Sequence, residues 1–352
     1  MGKAVGSLPY MAQLDGLRTL AVIAVAVKHW YTPSLFGVDL ELGKVGVQLF
    51  FVLSGFLITR ILMDTADAIA DRPSERRQAV RSFFIRRALR LLPAYYLYLA
   101  VIMYVLPLNG DPNGVGYYLL HLSNFRIQAV GAWPPGVAHL WTLAAEEQFY
   151  LFVPFVVFGL SRRYLPHFFA AGWAIAFTVG VTTNLTLVPP VAFAGMFIGC
   201  LLAMLSTMSE ERKAILDRVS ILGIPVAIVG VVVLGGVGDL PTAVGINIYG
   251  VGAAGIVWRA ASGNLSRVLS MRPMLFCGRI SYGMYLWHMA AWWIVQRVFG
   301  TELVWWLDFS LSFGLTIGIA VLSFRLVEEP VTRLKSKYPY VREAARPTVV
   351  TR

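Results

Sequence analysis

Ten apolar stretches, each roughly 20 residues long, follow one another along this chain of 352 residues. A helix needs about 20 apolar residues to cross the hydrocarbon core of a bilayer, so each stretch is long enough to span a membrane. The hydrophobic fraction of 57% and the mean hydropathy of +0.67 lie outside the range of soluble proteins. We therefore predict an all-α, polytopic membrane protein with about ten transmembrane helices. The predicted spans cover residues 13–31, 43–62, 85–107, 138–160, 166–186, 190–206, 218–236, 242–259, 280–299 and 304–325.

The distribution of positive charge predicts how these helices cross the membrane. With the N-terminus in the cytoplasm, 26 of the 30 Lys and Arg residues fall on the cytoplasmic side, and the other four are Lys28, Lys44, Arg126 and Arg297. By the positive-inside rule, both termini are cytoplasmic and the protein lies in the cytoplasmic (inner) membrane. The net charge of +11 is then explained by loops held against anionic lipid, and no nucleic acid partner is expected.

The predicted domain organisation is simple. Residues 1–330 form one transmembrane domain, and residues 331–352 form a basic cytoplasmic tail that is surface-bound or disordered. The longest outer segment, residues 108–137, contains a stretch at 115–125 that is apolar but too short to span, which predicts an interfacial or re-entrant helix. Cys200 and Cys277 have no partner spacing, so neither a disulfide nor a metal site is expected.

Ionisable residues inside the predicted spans need a reason, because each costs roughly 2.5–3.5 kcal/mol on insertion scales. Arg18 and His29 stand eleven positions apart in the first span. At about 1.5 Å per residue this is roughly 16 Å along one face of a helix. Arg18 as a membrane anchor and His29 as an interfacial histidine are the simpler alternatives.

A pair of arginines, Arg87 and Arg90, opens the third span. Their spacing places them on one face of a helix. Two guanidinium groups suit a polyphosphate, because each can form bidentate hydrogen bonds. Ordinary positive-inside flanking is the alternative.

The fourth and ninth spans carry the other unusual polar residues. Glu146 and Glu147 are adjacent and point about 100° apart, so at most one of them faces a given cavity. The ninth span can line a polar cavity or form helix–helix hydrogen bonds with four residues. They are Ser281, Tyr282, Tyr285 and His288. Ser54-Gly55 in the second span is interpreted as a point of close helix packing.

Six short motifs, in order along essentially the whole chain, resemble those of the membrane acyltransferase-3 family. They are Arg18-x10-His29, Phe-Phe-Val-Leu-Ser-Gly-Phe-Leu at 50–57, Arg87-x-x-Arg90, the block from His139 to Tyr150 containing Glu146-Glu147-Gln148, Ile-Ser-Tyr-x-x-Tyr-Leu-Trp-His at 280–288, and Glu328-Glu329-Pro330. Thr142 stands where the family usually has serine. Each motif is weak alone, but six in order are specific.

The resemblance implies transfer of an acyl group, usually acetyl, from cytoplasmic acyl-CoA to a hydroxyl of a carbohydrate. The acceptor would be an extracytoplasmic or lipid-linked saccharide. Acyl-CoA would be a co-substrate, and no permanently bound cofactor or metal is implied. Some members of the family carry a fused SGNH hydrolase-like domain outside the membrane. Since this sequence ends soon after the tenth span, we expect the type without that domain.

The resemblance also implies roles for individual residues. The donor would be held by Arg18, Arg87 and Arg90. His29 would deprotonate the acceptor hydroxyl or carry the acyl group itself. Glu146 or Glu147, with Glu147 the preferred one of the two, would orient or charge-balance that imidazole, or bind the sugar. The acceptor site or cavity would be formed by His139, Trp141, Tyr150, Ser281, Tyr282, Tyr285 and His288. In the outer segment, Tyr117, Tyr118 and Trp133 are candidates for stacking on sugar rings.

Two other functions fit parts of this pattern. A secondary transporter or a lipid-linked-glycan flippase would also have ten spans with charges inside them. The absence of a sequence repeat, and the arginine cluster paired with a histidine inside a span, argue against a transporter. The second alternative is acylation of a small hydrophobic natural product such as a macrolide.

Overall fold

The computed structural model describes residues 10–31, 34–35, 38–106, 111–183, 185–236 and 240–341. These residues form α-helices joined by short turns, with one antiparallel pair of two-residue strands, β1 (Ser34–Leu35) and β2 (Val38–Asp39). The helices are α1 (Ala12–Trp30), α2 (Leu42–Ala68), α3 (Arg76–Tyr104), α4 (Val115–Leu119), α5 (Ser123–Val130), α6 (Trp141–Gly159), α7 (Leu165–Thr182), α8 (Ala194–Leu205), α9 (Glu210–Val219), α10 (Gly223–Leu234), α11 (Thr242–Ala261), α12 (Arg272–Arg279), α13 (Ser281–Phe299), α14 (Trp305–Ser323) and α15 (Glu329–Arg333).

The ten predicted spans all coincide with helices, and the all-α prediction is confirmed. Within the described part of the chain, four helical runs are both long and apolar enough to cross a membrane. They are Leu42–Ala68, Leu165–Thr182, Glu210–Leu234 and Trp305–Lys337. The protein is therefore a multi-pass membrane protein. The count of ten spans and the cytoplasmic position of the termini stay predictions.

The outer segment folds differently from the single helix predicted for residues 115–125. Two short helices, α4 and α5, replace it, and His121 between them has a left-handed backbone conformation with φ of 54°. The segment closes on itself where Nε and Nη2 of Arg126 donate to Asp111 at 3.0 and 2.9 Å. These hydrogen bonds hold the pKa of Asp111 below its ordinary value. Residues 107–110 lie outside the described residues.

The crossing of α2 and α8 depends on two glycines. A Cβ on Gly55 would lie 2.1 Å from the carbonyl oxygen of Met196, and one on Gly199 would lie 2.2 Å from that of Val52. Both obstacles are backbone atoms, which cannot move aside as a flexible side chain can. The predicted close packing at Ser54-Gly55 is therefore confirmed, and it brings α2 to the place where its Ser54 side chain reaches α6.

We expect Gly55→Ala to destabilise the protein by about 1–3 kcal/mol, because the added methyl group overpacks the α2–α8 contact. Thermal unfolding of the purified protein in detergent measures the effect. Gly314→Ala is the matched control, since a Cβ at Gly314 in α14 meets nothing within 4 Å. Equal losses in the two variants would contradict the packing argument.

Helix α1 is fixed near its middle and at its end. Near its middle, Thr19 Oγ1 donates to the carbonyl oxygen of Met274 at 2.6 Å. Near its end, Trp30 Nε1 donates to the carbonyl oxygen of His288 at 3.3 Å. Just beyond it, the Tyr31 hydroxyl donates to Asp308 Oδ2 at 2.9 Å. These contacts tie α1 to α12, α13 and α14, and so place both of its unusual ionisable residues.

The beginning of the predicted tail packs against α3. Ser82 Oγ donates to the carbonyl oxygen of Pro339 at 2.9 Å, and Arg86 Nη1 donates to that of Lys335 at 2.7 Å. The Arg86 guanidinium also lies 4.8 Å from the centre of the Tyr340 ring. The packed chain therefore continues past the predicted domain boundary at residue 330, which itself stays a prediction. Residues 342–352 lie outside the described residues.

Candidate active site

A cavity of about 300 Å³ lies among α1, α2, α3, α6 and α13. Arg18, Arg87 and Arg90 line one end of it, which we call the arginine end. Thr142 also lines the cavity, eight residues before Tyr150 on α6 and so roughly 12 Å from the ring that Arg87 covers. Tyr285 is hydrogen-bonded to Thr142, and we call this opposite end the tyrosine end. The predicted cavity residues Tyr150, Ser281 and Tyr282 also line it. The wall is otherwise largely apolar, as expected of a pocket that binds an organic ligand.

The arginine end carries more positive than negative charge. Arg18 pairs with Asp15 one turn earlier in α1. Arg87 lies over the ring of Tyr150, 5.1 Å from its centre. Among the described residues, neither Arg87 nor Arg90 forms an ion pair with a carboxylate. Two guanidinium groups without carboxylate partners can hold an anion through bidentate hydrogen bonds.

The two adjacent glutamates differ in orientation, as the helical geometry predicts. Glu146 lines the cavity, accepts a hydrogen bond from Ser54 Oγ at 2.6 Å, and is attracted by all three arginines. Glu147 is not among the residues that line it, and its Oε1 is buried without a hydrogen-bond partner in the described part of the chain. Glu146, and not the preferred Glu147, is thus the glutamate that faces the cavity, and it lies with the arginines.

Two hydroxyl groups close the tyrosine end. The Tyr285 hydroxyl and Thr142 Oγ1 are 2.5 Å apart, and each lies within hydrogen-bonding distance of the carbonyl oxygen of His139, at 2.9 and 3.1 Å. The Tyr285 ring is 5.6 Å from the His139 ring and 5.8 Å from the His288 ring. The residues that end the cavity are therefore in direct contact with histidines.

Three histidines from distant parts of the chain meet beyond the tyrosine end and form a cluster of His29, His139 and His288. His29 Nδ1 lies 2.9 Å from His288 Nε2. The His139 ring is 5.0 Å from that of His288 and 6.5 Å from that of His29. His139 and His288 are buried, with 2% and 0% of their surface exposed, whereas His29 is exposed. The sequence singled out all three residues but did not predict that they touch.

The hydrogen bonds bear on one of the roles that the resemblance implies for Glu146 or Glu147, which is to orient the His29 imidazole. In the structure Glu146 is bonded to Ser54, and His288 takes the place beside His29. The reason is position along the helices, since Glu146 lies nearer the arginine end than the histidine cluster does.

Two aromatic residues do not occupy the places predicted for them. Tyr118 is fully buried with its hydroxyl 3.4 Å from Asp111, so its predicted stacking on a sugar is wrong. Trp141 packs edge-on against Phe51 and is not among the residues that line the cavity. Tyr117 and Trp133 are exposed and remain candidates for stacking.

Two polar residues near the arginine end have no predicted role in the site. The sequence predicts a packing role for Ser54, but its hydroxyl donates to Glu146. Lys335 lies in the predicted tail, but it is half-buried and close enough to Arg90 and Arg87 for their positive charges to repel it. A serine within an otherwise apolar span was a usable signal for the first, whereas nothing in the sequence indicated the second.

The fold and this site define the class: a multi-pass helical membrane protein with a cavity lined by arginines at one end and by Thr142 and Tyr285 at the other. His29, His139 and His288 are not among the residues that line this cavity, so His139 and His288 do not occupy the predicted place in its wall; they lie beside Tyr285. The sequence profile of the acyltransferase-3 family, described as an acyltransferase domain, matches residues 11–325. The chain belongs to this family. The resemblance carried by the six motifs is thereby confirmed.

The individual relatives of the chain share only about a quarter of its residues. The chain is similar to O-acetyltransferase OatA of Staphylococcus aureus strain NCTC 8325 / PS 47, with 26% identity over 364 residues that cover 92% of this chain and 57% of OatA. It is also similar to putative O-acetyltransferase SAS0844 of Staphylococcus aureus strain MSSA476, with 27% identity over 356 residues that cover 91% of this chain and 57% of the relative. The chain therefore spans 57% of the length of both relatives. No solved structure matches it.

Proposed function

We propose that this protein is a membrane O-acetyltransferase that moves an acetyl group from acetyl-CoA to a hydroxyl of a saccharide. Its family and the names of its relatives support acyl transfer. The observation that carries the proposal is the cavity. One end presents the guanidinium groups of Arg87 and Arg90, which have no carboxylate partner among the described residues, and the other end contacts a histidine cluster that is exposed at His29.

The arginine end suits the donor. Coenzyme A carries several phosphate charges, which cannot cross a bilayer but can be held by guanidinium groups at its surface. Its thioester arm is narrow enough to extend into the cavity toward Tyr285. Arg18 and His29 are eleven residues apart on α1, or roughly 16 Å, so phosphate binding and chemistry take place at separate levels of one helix.

The histidine cluster suits the transfer step. A lone pair of His29 accepts the proton of the acceptor hydroxyl. The hydroxyl oxygen forms a bond to the thioester carbonyl carbon, and the carbon–sulfur bond breaks. The departing thiolate then takes the proton from the His29 imidazolium and leaves as coenzyme A thiol. Among the three histidines, only His29 is exposed, so an acceptor hydroxyl can reach it.

Acetyl transfer is tested directly with the purified protein and radiolabelled acetyl-CoA. Lipid-linked saccharide, free polysaccharide and a macrolide are offered as separate acceptors. We expect label in a saccharide, released by mild base as expected for an ester. If the macrolide is labelled instead, the acceptor is a small natural product and not a saccharide. Transport of glycan without incorporation of label would contradict the proposal that the protein is an acetyltransferase.

The proposal requires the arginine end to face the cytoplasm, where acyl-CoA is made. The charge split of 26 to 4 supports this orientation. This orientation places both termini inside the cell and the protein in the inner membrane. The acceptor then arrives from the outer side, where Tyr117 and Trp133 are exposed.

Orientation is tested with single cysteines at Asn113 and Ser336 in a variant that lacks Cys200 and Cys277. In intact cells, an impermeant thiol reagent should label Asn113→Cys and leave Ser336→Cys unlabelled until the membrane is opened. The reverse pattern would refute the orientation and, with it, a cytoplasmic donor site at the arginine end.

A further inference from the structure

The hydrogen bonds of His288 determine which of its ring nitrogens carries a proton. His288 Nδ1 lies 2.7 Å from the carbonyl oxygen of Tyr285. A carbonyl oxygen can only accept, so Nδ1 is the donor and carries the hydrogen. The ring is fully buried and its two nitrogens meet a carbonyl and an imidazole, neither of which is negatively charged. Burial of an uncompensated charge is costly, so the ring is neutral and its Nε2 is an acceptor.

The tautomer of His288 determines the tautomer of His29. The neighbour of His288 Nε2 is His29 Nδ1, at 2.9 Å. Since His288 Nε2 accepts, His29 Nδ1 donates and carries the hydrogen. A neutral imidazole has one N–H, so His29 Nε2 holds a free lone pair. This nitrogen can act as a base, whereas it could not in the other tautomer.

His139 is the remaining candidate for a base in the cluster. Its Nε2 lies 3.2 Å from the carbonyl oxygen of Leu286 and therefore donates. Its Nδ1 has a lone pair that is buried and has no hydrogen-bond partner in the described part of the chain. With 2% of its surface exposed, His139 is not open to an acceptor, whereas His29 is exposed.

We propose that His288 is a positioning residue that holds His29, through the Nδ1–Nε2 hydrogen bond, in the tautomer whose free Nε2 accepts the proton of the acceptor hydroxyl. This rests on the proposed function, in which His29 is the base. A base oriented by a third group is a general arrangement in nucleophilic catalysis. Here the third group is a neutral imidazole. When His29 Nε2 takes the proton, the bond from its Nδ1 to His288 becomes charge-assisted and stronger, which stabilises the transition state.

The tautomer is tested by nitrogen NMR of the protein labelled with ¹⁵N-histidine. The chain has five histidines, so assignment by single substitution is practical. We expect His29 to be protonated at Nδ1 and unprotonated at Nε2 in the wild type, and to lose this preference in His288→Asn. Protonation of His29 at Nε2 in the wild type would overturn the proposal. This measurement needs no substrate, so failure of the acetylation assay would reject the proposed function and leave the tautomer assignment to be judged separately.

Kinetics distinguish positioning from a structural role. Asn at position 288 can bond to the Tyr285 carbonyl but is too short to reach His29, whereas Gln is long enough to present an amide oxygen to His29 Nδ1. We expect His288→Asn to lower kcat by about 10²–10⁴-fold with little change in KM for acetyl-CoA. His288→Gln should keep most of the wild-type kcat, and His167→Gln, at an exposed site, should match the wild type. Wild-type kcat in His288→Asn would overturn the proposal, as would equal losses in the Asn and Gln variants with unchanged thermal stability.

Discussion

Replacing His29 with alanine should lower acetyl transfer by about 10²–10⁴-fold, the usual cost of losing a general base. The variant should still insert into the membrane and bind acetyl-CoA, because the arginine end of the cavity is roughly 16 Å away along α1. Donor affinity and transfer rate, measured on the same purified protein, separate the two effects. His167→Ala is the control, since His167 is exposed and lies on α7, which contributes no residue to the cluster.

Two outcomes would change the mechanism. If a folded His29→Ala variant stays active while His139→Ala or His288→Ala does not, the base lies elsewhere in the cluster. If wild-type protein incubated with labelled acetyl-CoA and no acceptor retains covalent label that His29→Ala lacks, His29 carries the acetyl group and transfer proceeds in two steps. Direct transfer predicts no such label.

The second large effect should come from the arginine end. Arg87→Ala and Arg90→Ala should each weaken the binding of coenzyme A, since a hydrogen bond to a charged group contributes about 1.5–3 kcal/mol, or roughly ten- to hundredfold in Kd. Neither guanidinium is engaged with a carboxylate among the described residues, so both are available to a phosphate. Calorimetric titration of the detergent-solubilised protein with coenzyme A measures the change.

Lysine at these positions should restore binding in part, because it keeps the charge but loses the planar fork that matches phosphate. Arg81→Ala is the matched control: Arg81 lies on the same helix and is exposed. Coenzyme A affinity equal to the wild type in both alanine variants would show that Arg87 and Arg90 anchor the protein in the membrane and do not bind the donor.

The helices were predictable because their signal is local. An apolar run of about 20 residues stays helical whatever its neighbours are, since the backbone must satisfy its own hydrogen bonds in lipid. The prediction of a single helix was wrong only at residues 115–125, a segment that is shorter than a span and lies outside the predicted spans. There, the left-handed backbone at His121 and the contact between Asp111 and Arg126 replaced one helix with two.

The candidate residues were also predictable, because a charged or polar side chain inside a span is expensive and therefore conspicuous. Their partners were not. Periodicity shows that Glu146 and Glu147 cannot share a cavity, but the rotation of α6 against α2 and α3 decides that Glu146 faces it. Likewise, Lys335 lies close enough to Arg87 and Arg90 to interact with them electrostatically only because the chain after α15 turns back onto α3.

The histidine cluster shows most clearly which features the sequence predicts and which only the tertiary structure decides. The sequence places His29 and Arg18 on one face of a helix and marks His139 and His288 as polar residues in apolar surroundings. Contact between His29 and His288, 259 residues apart, depends on the packing of α1 against α13. Helix packing is set by the shapes of many side chains at once, including the glycines that let backbones approach, and no single segment encodes it. The tautomer of His29 follows from that packing, so the atom proposed to take the proton was decided by the tertiary structure.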